Sequence, residues 1–252
     1  MLADSKSIAM RPLRVLEIIA ERSEPVAVMD IARHVGVDRS TAYRILVNLT
    51  ETGYVERDRS GTRYLLAHKV LWLAKSLLQK DDSKARIDQA LADLAARTGE
   101  TVHFSVLDGD SVLLTQSAKG KQRLSVDVAI GDRSPLHATS AGKILLAYAP
   151  ERVVDDLIAS GLKSYASNTI TVEASLRVEL RLVRAQGFAY DLHEFAEDMH
   201  CVAVPVFNRR GGLQGTISFS GPDSRFTLPY LDALRDAAKT TAIGLSEIFT
   251  AP

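Results

Sequence analysis

The sequence predicts an α+β chain in two parts: a short helical domain that ends in a small hairpin, and a larger domain of antiparallel sheet flanked by helices. Three observations carry that expectation. Residues 26–66 pass from helical to strand periodicity across Gly36 and Gly53. Residues 67–80 contain neither Gly nor Pro. Beyond residue 84, strands come as hairpins around Asp108-Gly109-Asp110 and Arg209-Arg210-Gly211-Gly212, with helical patterns at both sequence ends.

In chain order, Ile8, Leu13, Leu16, Ile18 and Ile19 suggest a first supporting helix before Pro25. Val28, Ile31, Ala32 and Val35 give a second, and Gly36 supplies the left-handed turn that a side chain resists. Asp38 stands at the N-cap of a third helix. In that helix Ala42, Ile45, Leu46 and Leu49 fall at i, i+3, i+4 and i+7 as one buried stripe. At about 100° per residue, Ser40, Arg44, Val47 and Asn48 point away from it, with Thr41 and Tyr43 on its flanks. After Gly53, residues 54–57 alternate like a strand, 58–61 turn, and 62–66 return.

This is the pattern of a helix-turn-helix with a wing. The outward face of the third helix is short, polar and basic near its N-terminus, where recognition helices meet base edges. Arginine pairs with guanine, and Ser or Thr bonds a base or a phosphate. Double-stranded DNA is the expected partner. Its expected contacts are Arg39, Ser40, Thr41, Tyr43, Arg44 and Asn48, with Arg57, Arg59 and Arg63 clustered at the wing tip to reach phosphates or a minor groove. A glycine turn and a leucine stripe occur in any small helical hairpin; the added wing and the outward face favour DNA.

The 252 residues are enough for two domains, each with its own core. Formal net charge is zero, but unevenly spread: residues 1–75 hold 12 Lys/Arg and 9 Asp/Glu, and the remainder hold 19 and 22. The excess of three cations lies on the domain expected to meet DNA. So weakly basic a module binds weakly alone, so dimerisation, with two half-sites in one complex, is expected. The single cysteine, Cys201, excludes a disulfide framework or a cysteine zinc site within one chain. With no membrane-length apolar run and no leader pattern, a cytoplasmic protein without membrane partners is expected.

Residues 67–80 read as a helical connector made apolar by Val70, Leu71, Leu73, Leu77, Leu78 and Trp72, suited to a second subunit or to burial within its own chain. Residues 81–83 read as its end. A helix over 84–97 follows, with Ile87, Leu91, Leu94 and Ala95 inward and Gly99 as its stop. Strands are expected at 101–107, 111–116 and 124–130. Short helices follow at 141–149 and 151–160, then a longer one over 173–186 ended by Gly187. A second hairpin covers 200–207 and 213–219, and a last helix 228–249. Such a sheet, crossed by loops on one face, readily encloses a small-molecule cavity.

Five motifs, in order along the chain, carry a resemblance. They are Asp30-Ile-Ala-Arg-His-Val-Gly-Val-Asp-Arg-Ser-Thr-Ala-Tyr-Arg-Ile-Leu, Gly131-Asp-Arg-Ser-Pro-Leu-His-Ala-Thr-Ser-Ala-Gly-Lys, Gly187-Phe-Ala-Tyr-Asp-Leu-His-Glu-Phe, Cys201-Val-Ala-Val-Pro-Val-Phe and Ser218-Phe-Ser-Gly-Pro. End to end, the chain resembles the IclR family of bacterial transcriptional regulators. That resemblance implies a winged helix-turn-helix domain over 1–66, a linker helix over 67–82, and an effector-binding domain related to GAF and PAS sensors over 83–252. It also implies dimers, often paired into tetramers. It places an effector pocket at Ser140, Ala141, Asp191, Cys201, Ser218 and Ser220, with Met199 as an apolar wall and Leu124 and Val126 as further walls. Two departures stand out: the family's glycine before the cysteine segment is missing from Glu197-Asp198-Met199, and Ala27 replaces a capping hydroxyl.

Chemically, this constellation favours a small polar ligand. The N-terminus of the helix at Ala141 offers free amides to a carboxylate or phosphate. Ser218 and Ser220 project to one sheet face and can donate to an oxyanion. Asp191 would accept from a ligand hydroxyl. An organic acid, semialdehyde or aromatic acid fits best. Each residue also has a plainer use: Cys201 as a small buried hydrophobe, the serines as partners of backbone groups, Asp191 as a turn cap, and Lys143 as an ordinary helix-surface lysine. His103, His193 and His200 with Asp191 match no compact zinc spacing, so no metal, cofactor or catalytic residue is assigned. A thiol enzyme using Cys201 with His193 or His200 as base is the competing reading, without a nucleophile signature. An effector-blind dimerisation module on a DNA-binding arm is the third.

Overall fold

A computed structural model describes residues 8–22, 24–79, 82–123, 126 and 128–249, without the side chains of 76–79 and 82. The chain divides into two compact units, Met1–Asp81 and Asp82–Pro252. In the first, α1 (Arg11–Ala20), α2 (Val28–Val35) and α3 (Arg39–Glu51) pack around Val15, Ile18, Ile31, Ala42 and Leu46. A three-stranded antiparallel sheet of order β1-β3-β2 (Val26–Ala27, Val55–Arg57 and Arg63–Leu66) closes this core with Val26, Val55 and Tyr64. Ile8 and Leu13, expected inside, are exposed, and Val15 takes the inward position instead. The two-residue strand β1 is short because Pro25, just before it, has no N–H to give a ladder. Gly36 has φ 74°, the left-handed conformation that the turn between α2 and α3 requires. Helix α4 (Lys69–Gln79) ends the unit, and its Leu71, Trp72 and Leu73 are exposed. Leu77 and Leu78 lie outside the described side chains.

The second unit opens with α5 (Asp82–Thr98). Its six-stranded antiparallel sheet comprises β4 (Val102–Asp108), β5 (Ser111–Ala118), β6 (Arg133–Pro135), β7 (Ala189–Leu192), β8 (Met199–Phe207) and β9 (Leu213–Pro222). Their order across the sheet is β6-β5-β4-β9-β8-β7. Alternation along the strands separates two apolar layers. Val102, Phe104, Val202, Val204, Ile217 and Phe219 face α5 and α9 (Leu228–Ser246). Val112, Ala189 and Ala203 belong with α6 (Ser140–Tyr148), α7 (Glu151–Ser160) and α8 (Glu173–Gln186).

Two local readings are corrected. The strand expected over 124–130 is absent from its described residues; the edge strand is β6, where Ser134 and Arg133 pair with Val112 and Leu113. Pro135, at the end of β6, is tolerated because the strand lies at the edge. Lys143 is not on the surface: it is 2% exposed, and α6 is buried along nearly its whole length.

The start of α6 is held tightly. Thr139 caps it, accepting from the Gly142 amide at 3.1 Å and donating to the Pro135 carbonyl at 2.8 Å. A Cβ on Gly142 would stand 2.3 Å from the Leu136 carbonyl oxygen, so only glycine lets the helix approach the preceding loop this closely. Gly142→Ala is therefore expected to lower stability by about 1–3 kcal/mol, as overpacking does, read as a lower urea midpoint with an unchanged slope.

Candidate functional site

Two sets of predicted residues come together, one in each unit. On α3, Arg39, Ser40, Tyr43, Arg44 and Asn48 are exposed while Ala42, Leu46 and Leu49 are buried, with Thr41 and Ile45 half-buried. Asp38 organises the N-terminus of this face. Its carboxylate accepts from the Thr41 amide at 2.9 Å, the Ser40 hydroxyl at 2.5 Å and the Thr41 hydroxyl at 2.7 Å. The Ser40 hydroxyl first, and then the Thr41 hydroxyl and amide, hold the Asp38 carboxyl well below the usual carboxylate range. Arg44 reaches back to the Thr41 hydroxyl at 3.4 Å and remains exposed.

The three wing arginines are not equivalent. Arg57 lies over the Tyr64 ring, 5.3 Å from its centroid, and donates to the Gly61 carbonyl at 3.3 Å. The neighbouring Tyr43 side chain is the largest influence on it and raises its pKa. Arg63 turns away from the tip and donates to the Pro25 carbonyl at 3.2 Å, bracing β3 against the approach to β1. Arg59 sits exposed in the turn. The expected cluster at the tip therefore reduces to Arg59, flanked by an anchored Arg57.

In the second unit a cavity of about 350 Å³ opens between the sheet, the start of α6 and the segment before β6. Its wall includes Val126, Ser140, Ala141, Met199, Cys201, Ser218 and Ser220 from the predicted set. Leu124 lies outside the described residues. Asp191 does not line the cavity. It is fully buried, opposite Cys201 in the β7–β8 ladder. Its Oδ1 accepts from the amides of Glu194 and Phe195 at 2.8 and 3.3 Å, holding the loop that puts Phe195 into the wall. Oδ2 faces the Cys201 side and accepts no hydrogen bond of ordinary geometry among the described residues, and burial raises the pKa of the group.

Sequence reasoning missed other wall residues: His103, Ser105, Val112, Leu114, Val128, Asp132, Arg133, Ser134, Thr139 and Phe195. Strand alternation was the available signal for His103 and Ser105, since both share a face of β4 and pair with Ser218 and Thr216 of β9. His103 is the most informative. Its Nδ1 lies 3.2 Å from the Ser117 hydroxyl, while its buried Nε2 has no partner among the described residues. Burial pushes its pKa down to about 4, so the ring facing the cavity is neutral near pH 7. Arg133 is held by an ion pair with Asp108, and it donates to the Asp108 carbonyl at 3.2 Å.

A largely buried charge cluster centres on α6. Lys143 of α6 contacts Glu194 at 2.5 Å and Glu179 of α8 at 2.9 Å. Burial pushes the Glu194 carboxyl up to about 7 against the opposing pull of Lys143. Cys201 is also buried, and its thiol is raised well above the ordinary value, first by burial and then by the neighbouring Asp191.

Residues 9–59 match the IclR helix-turn-helix domain, and residues 75–247 match the bacterial transcriptional regulator IclR C-terminal domain. The chain belongs to the IclR family. It is 32% identical over 225 residues to the HTH-type transcriptional regulator KdgR of Dickeya chrysanthemi, covering 89% of this chain and 73% of that one. An IclR-type regulator from Alicyclobacillus acidocaldarius has the same fold, with a TM-score of 0.82 at 27% identity over 94% of this chain and 96% of the other. An IclR homologue from Microbacterium hydrocarbonoxydans, solved in complex with 4-hydroxybenzoate, gives 0.76 at 25% identity over 95% and 99%. The chain is a DNA-binding transcriptional regulator of the IclR type.

The Glu194 carboxyl titrates at about 7 in the fold against an ordinary 4.5. Between these values the folded chain holds a proton that the unfolded chain has released, so the linked stability falls as the pH rises from 4.5 to 7 and is level above that. Urea midpoints across this window are expected to fall for the wild type relative to Glu194→Gln; parallel profiles would assign the titration elsewhere.

Proposed function

We propose that this regulator is controlled by a small organic acid held in the cavity of its larger unit. The observation that carries this reading is the neutral, buried His103, whose Nε2 stands in the cavity wall without a partner among the described residues. A buried polar nitrogen without a partner is unfavourable, and a ligand hydroxyl or carboxylate supplies one. Ser218 and Ser220 offer hydroxyls, and Ser140 and Ala141 stand at the α6 N-terminus, which favours an anion. Met199, Val126, Val112, Leu114 and Phe195 suit an apolar or aromatic body. The binding of 4-hydroxybenzoate by a homologue of the same fold supports an aromatic acid.

In this reading the first unit supplies the DNA contacts, with Arg39, Ser40, Thr41, Tyr43, Arg44, Asn48, Arg57 and Arg59 as its face and Arg63 as a brace. The working division is a DNA-binding domain over 1–66, a linker over 67–82 and an effector domain over 83–252. The exposed Leu71 and Trp72 of α4 suit contact with a second copy, which lets two weakly basic modules share one operator. The protein acts in the cytoplasm, where its DNA is. No described helix is long and apolar enough to cross a membrane. Cys201 is a wall residue rather than a nucleophile: its thiol is held protonated, and neither His193 nor His200 hydrogen-bonds it.

Thermal shifts across a panel of aliphatic and aromatic acids, beginning with 4-hydroxybenzoate, test the effector half. A ligand at a hundredfold excess over its Kd stabilises the fold by about 2.7 kcal/mol. Ser218→Ala is expected to weaken that acid about tenfold with DNA affinity unchanged. Absence of any shift, or loss of DNA binding in a folded Ser218→Ala protein, would refute the cavity assignment. For DNA, anisotropy titrations use a duplex selected from a random pool. Arg44→Ala should reduce discrimination against mismatched duplexes by about tenfold or more. Arg59→Ala should weaken every duplex alike and lower the salt slope by about one. Unchanged selectivity in Arg44→Ala would refute the groove assignment.

A further inference from the structure

Away from the cavity, two imidazoles meet in an arrangement that neither DNA binding nor effector binding uses. His193 Nδ1 lies 2.5 Å from the Glu197 carbonyl oxygen, and His200 Nδ1 lies 2.9 Å from the Phe226 carbonyl oxygen. Carbonyl oxygens only accept, so each Nδ1 carries a ring proton, and in the neutral rings each Nε2 presents a bare lone pair. Those two Nε2 atoms are 2.9 Å apart. Two lone pairs at that distance repel, so the arrangement is stable only with a positive charge between them.

We infer that His193 and His200, joined by Asp223, form a binding site for a divalent transition-metal ion, with zinc the best fit. Three features favour a metal over a lone shared proton. Donation of the outer ring N–H to a backbone carbonyl is the usual way a ligating histidine is aimed and its tautomer set. An anionic third ligand stands close by, with Asp223 Oδ2 3.9 Å from His193 Nε2. His193 also has φ 61°, the one non-glycine with positive φ among the described residues. Backbone strain of this kind persists where the surroundings hold a side chain to a task.

The geometry needs little change. Zinc–nitrogen bonds of about 2.0–2.1 Å at a tetrahedral angle place two ligating nitrogens roughly 3.3 Å apart, so the rings must open by only a few tenths of an ångström. Among the described residues no three such groups already stand around one point; the ion would draw in Asp223, whose side chain is part-exposed at the end of β9. Water would complete the fourth position. Two imidazoles and one carboxylate suit Zn²⁺, Co²⁺ or Ni²⁺ and poorly suit Mg²⁺. Alternation along β8 turns His200 to the face opposite Met199 and Cys201, so this site is distinct from the cavity those residues line.

The test uses the untagged full-length chain, stripped with EDTA and desalted. Calorimetric titration with Zn²⁺ is expected to show equimolar binding that Mg²⁺ does not compete away. His193→Asn, which keeps a residue tolerant of the left-handed backbone, and His200→Gln should each weaken Zn²⁺ by about tenfold or more. Asp223→Asn should weaken it less, and Cys201→Ser should leave it unchanged, with circular dichroism showing each variant folded. Co²⁺ bound to the wild type should give a ligand-field spectrum without thiolate charge transfer. The inference fails if the stripped chain binds no stoichiometric Zn²⁺, as a pair that only shares a proton would behave. It also fails if folded His193→Asn and His200→Gln bind Zn²⁺ as the wild type does, or if Cys201→Ser abolishes binding.

Discussion

The cavity of the larger unit depends on one buried cation. An ammonium group taken out of water is strongly unfavourable unless it is paired, and Lys143 meets that condition through Glu194 and Glu179. Glu194 also gives its backbone amide to Asp191, and Phe195 gives its own amide to the same oxygen. One chain of contacts therefore links α6, α8 and the turn after β7, and it positions three parts of the cavity. The α6 N-terminus is pinned between Lys143 and the close approach at Gly142. Phe195 is drawn into the wall, and Cys201 is backed by Asp191 across the β7–β8 ladder. A hydrophobic replacement of a buried pair is often as stable. Here the ions set the position of the loop, and an apolar residue would leave the Glu194 carboxylate without its partner.

This dependence also explains where sequence reading stopped. Elements with strong local signals were legible: α7 and α8 span the residues that their helical patterns place, with Gly187 ending α8, and the Asp108-Gly109-Asp110 turn joins β4 to β5 as read. Lys143 was not legible as a core residue, because its partners lie 36 and 51 residues away and no period within α6 reveals them. Asp191 was placed at the site by the family pattern but assigned to the ligand. Its actual partners are the amides three and four residues later, a turn-capping role that the sequence permits equally well. His103 went unassigned because its neighbours in the wall come from register: Ser218 faces it from a strand more than a hundred residues away. Strand β6 escaped because it has only three residues and ends in proline.

On the face of α3 proposed to meet DNA, the polarity of the hydroxyls matters more than their presence. Ser40 and Thr41 both donate to Asp38, so their outward lone pairs can only accept while Asp38 is ionised. An acceptor repels phosphate and suits the exocyclic amino groups of adenine and cytosine in the major groove. With Arg44 and Arg39 supplying donors, the start of α3 presents both halves of a hydrogen-bonding code on one turn. The anchoring of Arg57 by Tyr43 and Tyr64 fixes where the wing leaves this surface, so the freedom of the wing is concentrated at Arg59.

An effector changes transcription only if it binds two arrangements of the protein unequally. Under the proposed reading, a ligand in the cavity would meet β4, since His103 and Ser105 belong to a strand that begins four residues after α5 ends. The junction is braced by hydrogen bonds. Glu100 is buried and takes Arg225 through both carboxylate oxygens, at 2.9 and 3.1 Å, with Tyr230 at 3.2 Å. Displacement of β4 by a ligand therefore cannot be absorbed in a slack loop. It must move α5 with the start of α9, or be resisted by both. Helix α5 opens the larger unit at Asp82, next in sequence to the unit that carries α3. A packed route of this kind is a necessary condition for coupling and not a sufficient one; its cavity end is the buried His103 Nε2, which has no hydrogen-bond partner among the described residues.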